Sequence, residues 1–322
     1  MSQIRLRLDP WPADYESALQ IGELEDQPPA DIDHTVEDPD WRAVAQSGDV
    51  RPEPLHFVDG VRRVEARVIA DDDSGRITYG LFGSVGVGAV RIEHNRAYFE
   101  PALIKRYVVT GNGITLDTRT IGCGNTELSF IAYAAADNRP NTALLELQNL
   151  MRTAEADLAT TLAESSACVF ADGPLTYFAI SKLPTVGTVK RLIEPYLGAE
   201  QFALVRTLAV GQRTPIFLIH DGKHDRYSWY LRAGSPRVMD HDLTGVLRLE
   251  VRSGVGIATA IDLAHLSASC LPGLAGDSVR DPRSPQNLLP VAALEHELRH
   301  RLGDALAIRR AIERTIFSES SK

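Results

Sequence analysis

The sequence predicts an α/β fold, a mixed sheet with flanking helices and a long C-terminal helix, and three observations carry that expectation. Residues 55–92 are a succession of short apolar and alternating segments rich in β-branched residues, the pattern of neighbouring strands. Residues 142–164 then carry a helical stripe of Leu144, Leu147, Leu150, Met151, Ala154, Leu158 and Leu162. Immediately after it, 167–171 reads as a buried strand that ends in Asp172-Gly173-Pro174, a turn signal.

Composition bounds the class. With 322 residues and 44% apolar content, the chain can bury a substantial core in one large domain or two. A formal charge of −9 argues against a free-standing nucleic-acid binder with a basic face, though not against a local basic groove. Cys123, Cys168 and Cys270 are widely spaced with no CxxC, so they read as reduced thiols. No basic leader precedes an apolar segment and no run approaches membrane-spanning length, so the expected location is the cytoplasm, away from any membrane.

In chain order, residues 1–53 form an acidic, proline-containing arm, read as a mostly solvated leader with one short stripe (Trp11, Tyr15, Leu19, Ile21) for docking on the body. Residues 54–322 form the main domain. Strands are predicted at 55–59, 61–70, 77–85 and 87–92. The glycines of Gly83-Ser-Val-Gly-Val-Gly88 lack the Lys-Ser/Thr of a P-loop and mark a bend in a meander. Residues 95–140 look loop-like, an insertion or lid. After the helix and the Asp172 strand, further strands are predicted at 176–180, 202–209, 215–219, 227–231 and 245–251. A helix at 256–268 and a final charged helix at 287–317 complete the chain.

Asp59-Gly60 repeats the design of Asp172-Gly173: a short apolar run, then Asp, then Gly. A carboxylate at the end of a buried strand is costly to desolvate unless something pairs with it, and two such carboxylates together suit a divalent cation. Each alone also fits an ordinary Asp-Gly turn. The order of meander, helix and Asp-bearing strand resembles that of the ribonuclease-H-like fold. There, carboxylates from separate elements hold two ions about 4 Å apart for phosphodiester hydrolysis. Asp59 and Asp172 fit the strand positions and Glu155, off the apolar stripe, fits the helix position; its alternative is a solvated helix-face glutamate.

From about His56 onward the chain resembles the NurA nucleases. The resemblance rests on Phe57-Val-Asp59-Gly60, Arg152-Thr-Ala-Glu155, Val169-Phe-Ala-Asp172-Gly-Pro-Leu175, Ile180-Ser-Lys182, Gly187-Thr-Val-Lys190, Tyr227-Ser-Trp-Tyr-Leu-Arg232 and Arg283-Ser-Pro-Gln-Asn-Leu-Leu-Pro290. It implies a Mn2+- or Mg2+-dependent nuclease working on DNA ends with two ions. It also implies a homodimer that joins a hexameric HerA-type translocase ATPase in DNA repair or phage defence. Carried over, Asp59, Glu155 and Asp172 are catalytic metal ligands, His296 a further ligand, and Lys182, Lys190 and Arg191 contacts to backbone phosphates or plain solvated surface cations. Leu289-Pro290 stands where the family has Tyr-Pro, and His296 falls one residue short of the family spacing, so Glu295 and Glu297 are candidate substitutes. These departures leave open a catalytically degenerate adaptor of a translocase; a hydrolase of small phosphorylated substrates is a third reading. No GxSxG, HExxH or Rossmann fingerprint is present.

Overall fold

One sheet runs through the molecule, and its middle is set by two long antiparallel strands. The computed structural model describes residues 5–8, 31–45, 54–71, 75, 77–114, 116–165, 168–178, 182–190, 196–220, 222, 225–277, 279, 281 and 283–320. The strands are β1 (Arg5–Leu8), β2 (Asp31–Asp33), β3 (Leu55–Asp71), β4 (Ile77–Glu93), β5 (Arg96–Phe99), β6 (Leu103–Thr110), β7 (Arg119–Cys123) and β8 (Thr126–Ala134). Helix α1 (Thr142–Glu164) follows, then β9 (Cys168–Asp172), β10 (Thr185–Val189), α2 (Ala199–Thr207), β11 (Phe217–His220), β12 (Arg226–Arg232) and β13 (Val246–Arg252). Helices α3 (Ile257–Cys270), α4 (Leu289–Arg301) and α5 (Ala305–Ser320) end the chain.

The sheet order is β2-β11-β12-β13-β10-β9-β3-β4-β6-β8-β7, with β1 on β3 and β5 on β4. At its centre, β6, β4 and β3 form an antiparallel meander, and β9 and β10 lie parallel to β3 on the other side. Helix α1 makes the crossover from the meander to β9. This strand order and polarity is the ribonuclease-H-like arrangement, within a larger, mostly antiparallel sheet. Among the described residues no helix is long and apolar enough to cross a membrane.

The two faces of the sheet are packed by different helices. Along β3 the side chains alternate. Val58 packs with Val169 and Ala171 under α1, whereas Phe57 stacks on Phe170 at 5.2 Å on the opposite face, in the core that α3 covers. Each buried phenylalanine contributes roughly 1.5–3 kcal/mol through apolar area alone. Further along that second face, Val61 meets Leu294, Leu298 and Leu302 of α4 and its end. The glycines of β4 permit this closeness rather than bending the strand. A Cβ on Gly83 would sit 2.5 Å from Leu147 of α1, and one on Gly88 would sit 3.2 Å from Leu294 and Leu298 of α4.

Several predicted elements change. Asp59-Gly60 lies inside one 17-residue strand, paired with Gly88 and Val87, so the two predicted strands are one, irregular only between Val64 and Ala66. The segments 77–85 and 87–92 likewise merge into β4. The region 95–140, read as an insertion or lid, supplies β5 to β8, strands whose exposed faces mix polar residues with large apolar ones such as Phe99, Leu103 and Ile131. Residues 202–209 are not a strand; Glu200 in the first turn and Arg206 in the last suit the dipole of α2 instead. Leu175–Tyr177 is a 3-10 turn where 176–180 was predicted to be extended. The final helix is broken in two: Gly303, at φ +84°, ends α4 in a left-handed conformation, and Asp304 Oδ1 then accepts the Ala307 amide to start α5.

The described part of the arm is not a free leader. β2 pairs with β11, and Trp41 donates from Nε1 to the Gln201 carbonyl at 2.9 Å. Glu37 takes both guanidinium nitrogens of the fully buried Arg213, at 2.7 and 2.8 Å, and accepts the Ile216 amide. The Trp11–Ile21 stripe lies outside the described residues. Removing one partner of a buried pair strands the other charge, at a cost of about 3–5 kcal/mol. Glu37→Ala therefore lowers the unfolding free energy in urea by about 3 kcal/mol or more, with Glu37→Gln in between; a loss under about 1 kcal/mol would show the arm to be dispensable to the body.

Candidate metal centre

The register of β3 against β9 places the first two carboxylates. Phe57 pairs with Phe170 and Val58 with Ala171, so the next residue on each strand is Asp59 and Asp172. Both share the parity of Phe57 and Phe170, the face on which α3 and α4 pack. Helix α4 brings Glu295 to the same place. One carboxylate oxygen from each of Asp59, Asp172 and Glu295 lies within 4.8 Å of the other two, the group among the described residues suited to hold a metal.

Asp59 is 4% exposed; its Oδ1 accepts the Gly60 amide at 2.8 Å, and its Oδ2 has no hydrogen-bond partner among the described residues. Asp172 Oδ1 lies 2.7 Å from Lys190 Nζ, which also donates to Asn287 Oδ1 at 2.7 Å. Glu295 is paired with Arg283 Nη1 at 2.9 Å, and that guanidinium is shared with Asp281. Burial, then the charges of Asp172 and Glu155, push the Asp59 carboxyl well above the usual carboxylate range. Lys190 acts against that rise and Glu295 adds to it.

Glu155 is buried close by but does not join the group of three. It rises from α1 toward the other face of the sheet, where its Oε1 lies over Gly60, so close that a Cβ there would sit 2.5 Å away. Its Oε2 accepts Arg152 Nη1 at 2.9 Å, and the same nitrogen donates to the Asp172 carbonyl at 2.7 Å. Burial raises the Glu155 carboxyl, with Arg152 acting against it and Asp172 adding to it. Arg152 is held above the ordinary arginine range: burial lowers it, but the charges of Glu155, Asp172 and Asp59 outweigh that.

The other predicted residues fall as follows. His296 is exposed on α4 and lies outside the group, and Glu297 pairs with Arg301 at 2.7 Å. Lys190 is at the centre, Lys182 is exposed and not among the described residues lining the adjoining cleft, and Arg191 lies outside the described residues. That cleft, of about 420 Å³, is lined by Arg152, Asp172, Lys190, Arg237, Arg283 and Glu295 among others. Arg152 and Arg283 stood in the motifs without a role. The signal for Glu295 was its position four residues after Val291 and three before Leu298, inside the apolar stripe of α4.

All three converging donors are carboxylates, which suits a hard divalent cation such as Mg2+, Mn2+ or Ca2+ over the nitrogen- and sulfur-seeking metals. The orphaned, buried Oδ2 of Asp59 fits that group.

No protein-family model matches the chain, and no curated protein matches it. Among solved structures, the NurA nuclease from Sulfolobus solfataricus superposes over 87% of this chain and 86% of its own, at 11% sequence identity and a TM-score of 0.45.

The raised Asp59 carboxyl contributes a pH dependence to the cation-free protein. A carboxyl with a folded pKa above its unfolded value, near 3.9, favours the fold most below that unfolded value. Its contribution is lost as pH rises through the window up to the folded pKa. Asp59→Asn keeps the acceptor for the Gly60 amide and removes the buried charge. At pH 8 without metal it melts a few degrees above the wild type, and the difference vanishes toward pH 4. A variant that melts lower than the wild type at pH 8 would show that repulsion does not act there.

Proposed function

We propose that the chain is a divalent-metal-dependent nuclease that hydrolyses phosphodiester bonds of DNA. The observation that carries this reading is the convergence of Asp59, Asp172 and Glu295 on one face of a ribonuclease-H-like sheet, with a buried, unpaired Asp59 oxygen, beside an open cleft lined by lysine and arginine. Asp59, Asp172 and Glu295 would hold the cation, Mn2+ or Mg2+. Such an ion supplies charge stabilisation at a phosphoryl oxygen and acidifies a bound water.

The protein's own groups supply the rest. Lys190 and Arg283 each contact a triad carboxylate and line the cleft, where they are placed to hold phosphate oxygens. Lys190 is fixed between Asp172 and Asn287, so its ammonium is oriented before substrate arrives. Arg237, paired with Asp240 at 2.9 Å, stands at the same cleft and extends the cationic lining. These local cations answer the overall charge of −9 without a broad basic face. Work on DNA ends, the homodimer and a HerA-type motor enter this proposal on the resemblance of the sequence motifs alone.

A catalytically silent adaptor is the second reading. In its favour, Glu155, Asp172 and Glu295 already have internal cationic partners in the protein alone. Degradation of end-labelled linear DNA with Mn2+ separates the two. Loss of several kcal/mol of charge stabilisation corresponds to roughly 10²–10³-fold in rate. Asp59→Ala, Asp172→Ala and Glu295→Ala should each lose that much, with circular dichroism unchanged and the exposed Glu127→Ala as active as wild type. A wild type inert with Mn2+ and with Mg2+ puts the adaptor first.

A further inference from the structure

The ribonuclease-H-like order leads one to expect two cations, yet the side chains around the triad provide for one. A second ion about 4 Å from the first needs carboxylates of its own. Asp240 at the cleft is taken by Arg237, and the buried carboxylate beside the group is Glu155, whose Oε2 is engaged and whose Oε1, without a hydrogen-bond partner among the described residues, lies over Gly60 on the α1 face of the sheet. Its Oε2 holds Arg152, whose Nη1 also reaches the Asp172 carbonyl and so links α1 to the end of β9 at the triad.

Arg152 is seated rather than swinging free. Its guanidinium packs on Gly173, which sits at φ +100°, a conformation that favours glycine. A Cβ at Gly173 would approach Nη1 to 3.1 Å and Nη2 to 3.3 Å, so the close approach also requires glycine. The Arg152 side chain is 21% exposed and lines the cleft beside Asp172, Lys190 and Glu295. An incoming second divalent ion would meet this fixed guanidinium as well as Lys190 and Arg283, each already on a carboxylate.

We propose that this centre binds a single divalent cation, at Asp59, Asp172 and Glu295, and that the guanidinium of Arg152 stands in the place of a second one, facing the phosphate. This rests on the metal-dependent reading above and fixes its stoichiometry. Arg152 is then a permanent, non-exchangeable positive charge in the site, offering planar N–H donors to phosphate oxygens where a second ion would offer a point charge. Glu155 is a positioning residue: it holds the fork of Arg152 and does not bind the metal.

Titration of the full chain with Mn2+, followed by calorimetry and electron paramagnetic resonance, tests this without reference to turnover. The wild type takes one equivalent and gives the spectrum of an isolated ion. Arg152→Met frees Glu155 and takes a second equivalent, with the spin coupling of two neighbouring ions. Arg152→Lys, which keeps a charge, stays at one. Two coupled ions in the wild type would overturn the inference while leaving the metal-dependent reading intact, and so would Arg152→Met remaining at one. No binding in the wild type overturns both. Should Arg152→Met fail to fold, Arg152→Gln takes its place, and the wild-type count still decides.

Discussion

The parallel pairing of β3 with β9 is the constraint on which the rest of the centre depends. Once Val58 is opposite Ala171, two aspartates must stand side by side in a buried sheet, and the chain has to tolerate like charges at close range. Taken alone, that juxtaposition works against folding. What offsets it lies one to three residues back along the same strands. The Phe57–Phe170 stack and the Val58, Val169 and Ala171 contacts under α1 are fully dry and hold the register that creates the repulsion. A slip by one residue would turn these apolar side chains to the wrong faces.

Around the centre, charged side chains fix backbone rather than decorate the surface. At the far end of α4, Arg63 donates to the carbonyls of Leu302 and Gly303, and Arg106 to that of Leu302. The buried Glu65 pairs with Arg63 and accepts from Ser84. The helix that presents Glu295 is therefore tied down at its C-terminus, where its carbonyls carry partial negative charge. On the other side, Glu250 accepts the Leu175 amide, and Arg252 donates to the carbonyls of Leu175 and Phe178. Those bonds set the path of the chain just after Asp172, so β13 steadies the end of β9 without touching the cleft.

Much of this was legible in the sequence where the local pattern and the tertiary environment agree. The stripe of α1 is regular, and its bounds 142–164 come out as drawn. Asp59 and Asp172 stood out as charges ending apolar runs. Asp59-Gly60 nevertheless misled as a turn dipeptide: nothing local reveals that β4 pairs alongside, through Gly88 and Val87, and keeps β3 extended. β5 to β8 were missed because their exposed faces mix apolar and polar residues, so no clean alternation marks them, as in Arg96–Phe99, where all four residues are exposed. The third carboxylate of the group depended on helix phase. His296 is the more familiar metal ligand by type, but Glu295 is the residue whose angle on α4 points at the sheet. Glu155 looked suited by position in the chain, and the partner that occupies it, Arg152, was one helical turn away.

The short strand β2 has a further consequence, for what the sheet does with its end. A long sheet presents an edge of unpaired amides and carbonyls on which another chain can add a strand. Here β11 is closed off by Asp31–Asp33, three residues long, with a carboxylate at each end and Asp33 folded back to hold the Thr35 amide and hydroxyl. A strand arriving from a neighbouring molecule would find too few partners and two negative charges in its way. Among the described residues the acidic arm thus forms one end of the sheet, short and negatively charged.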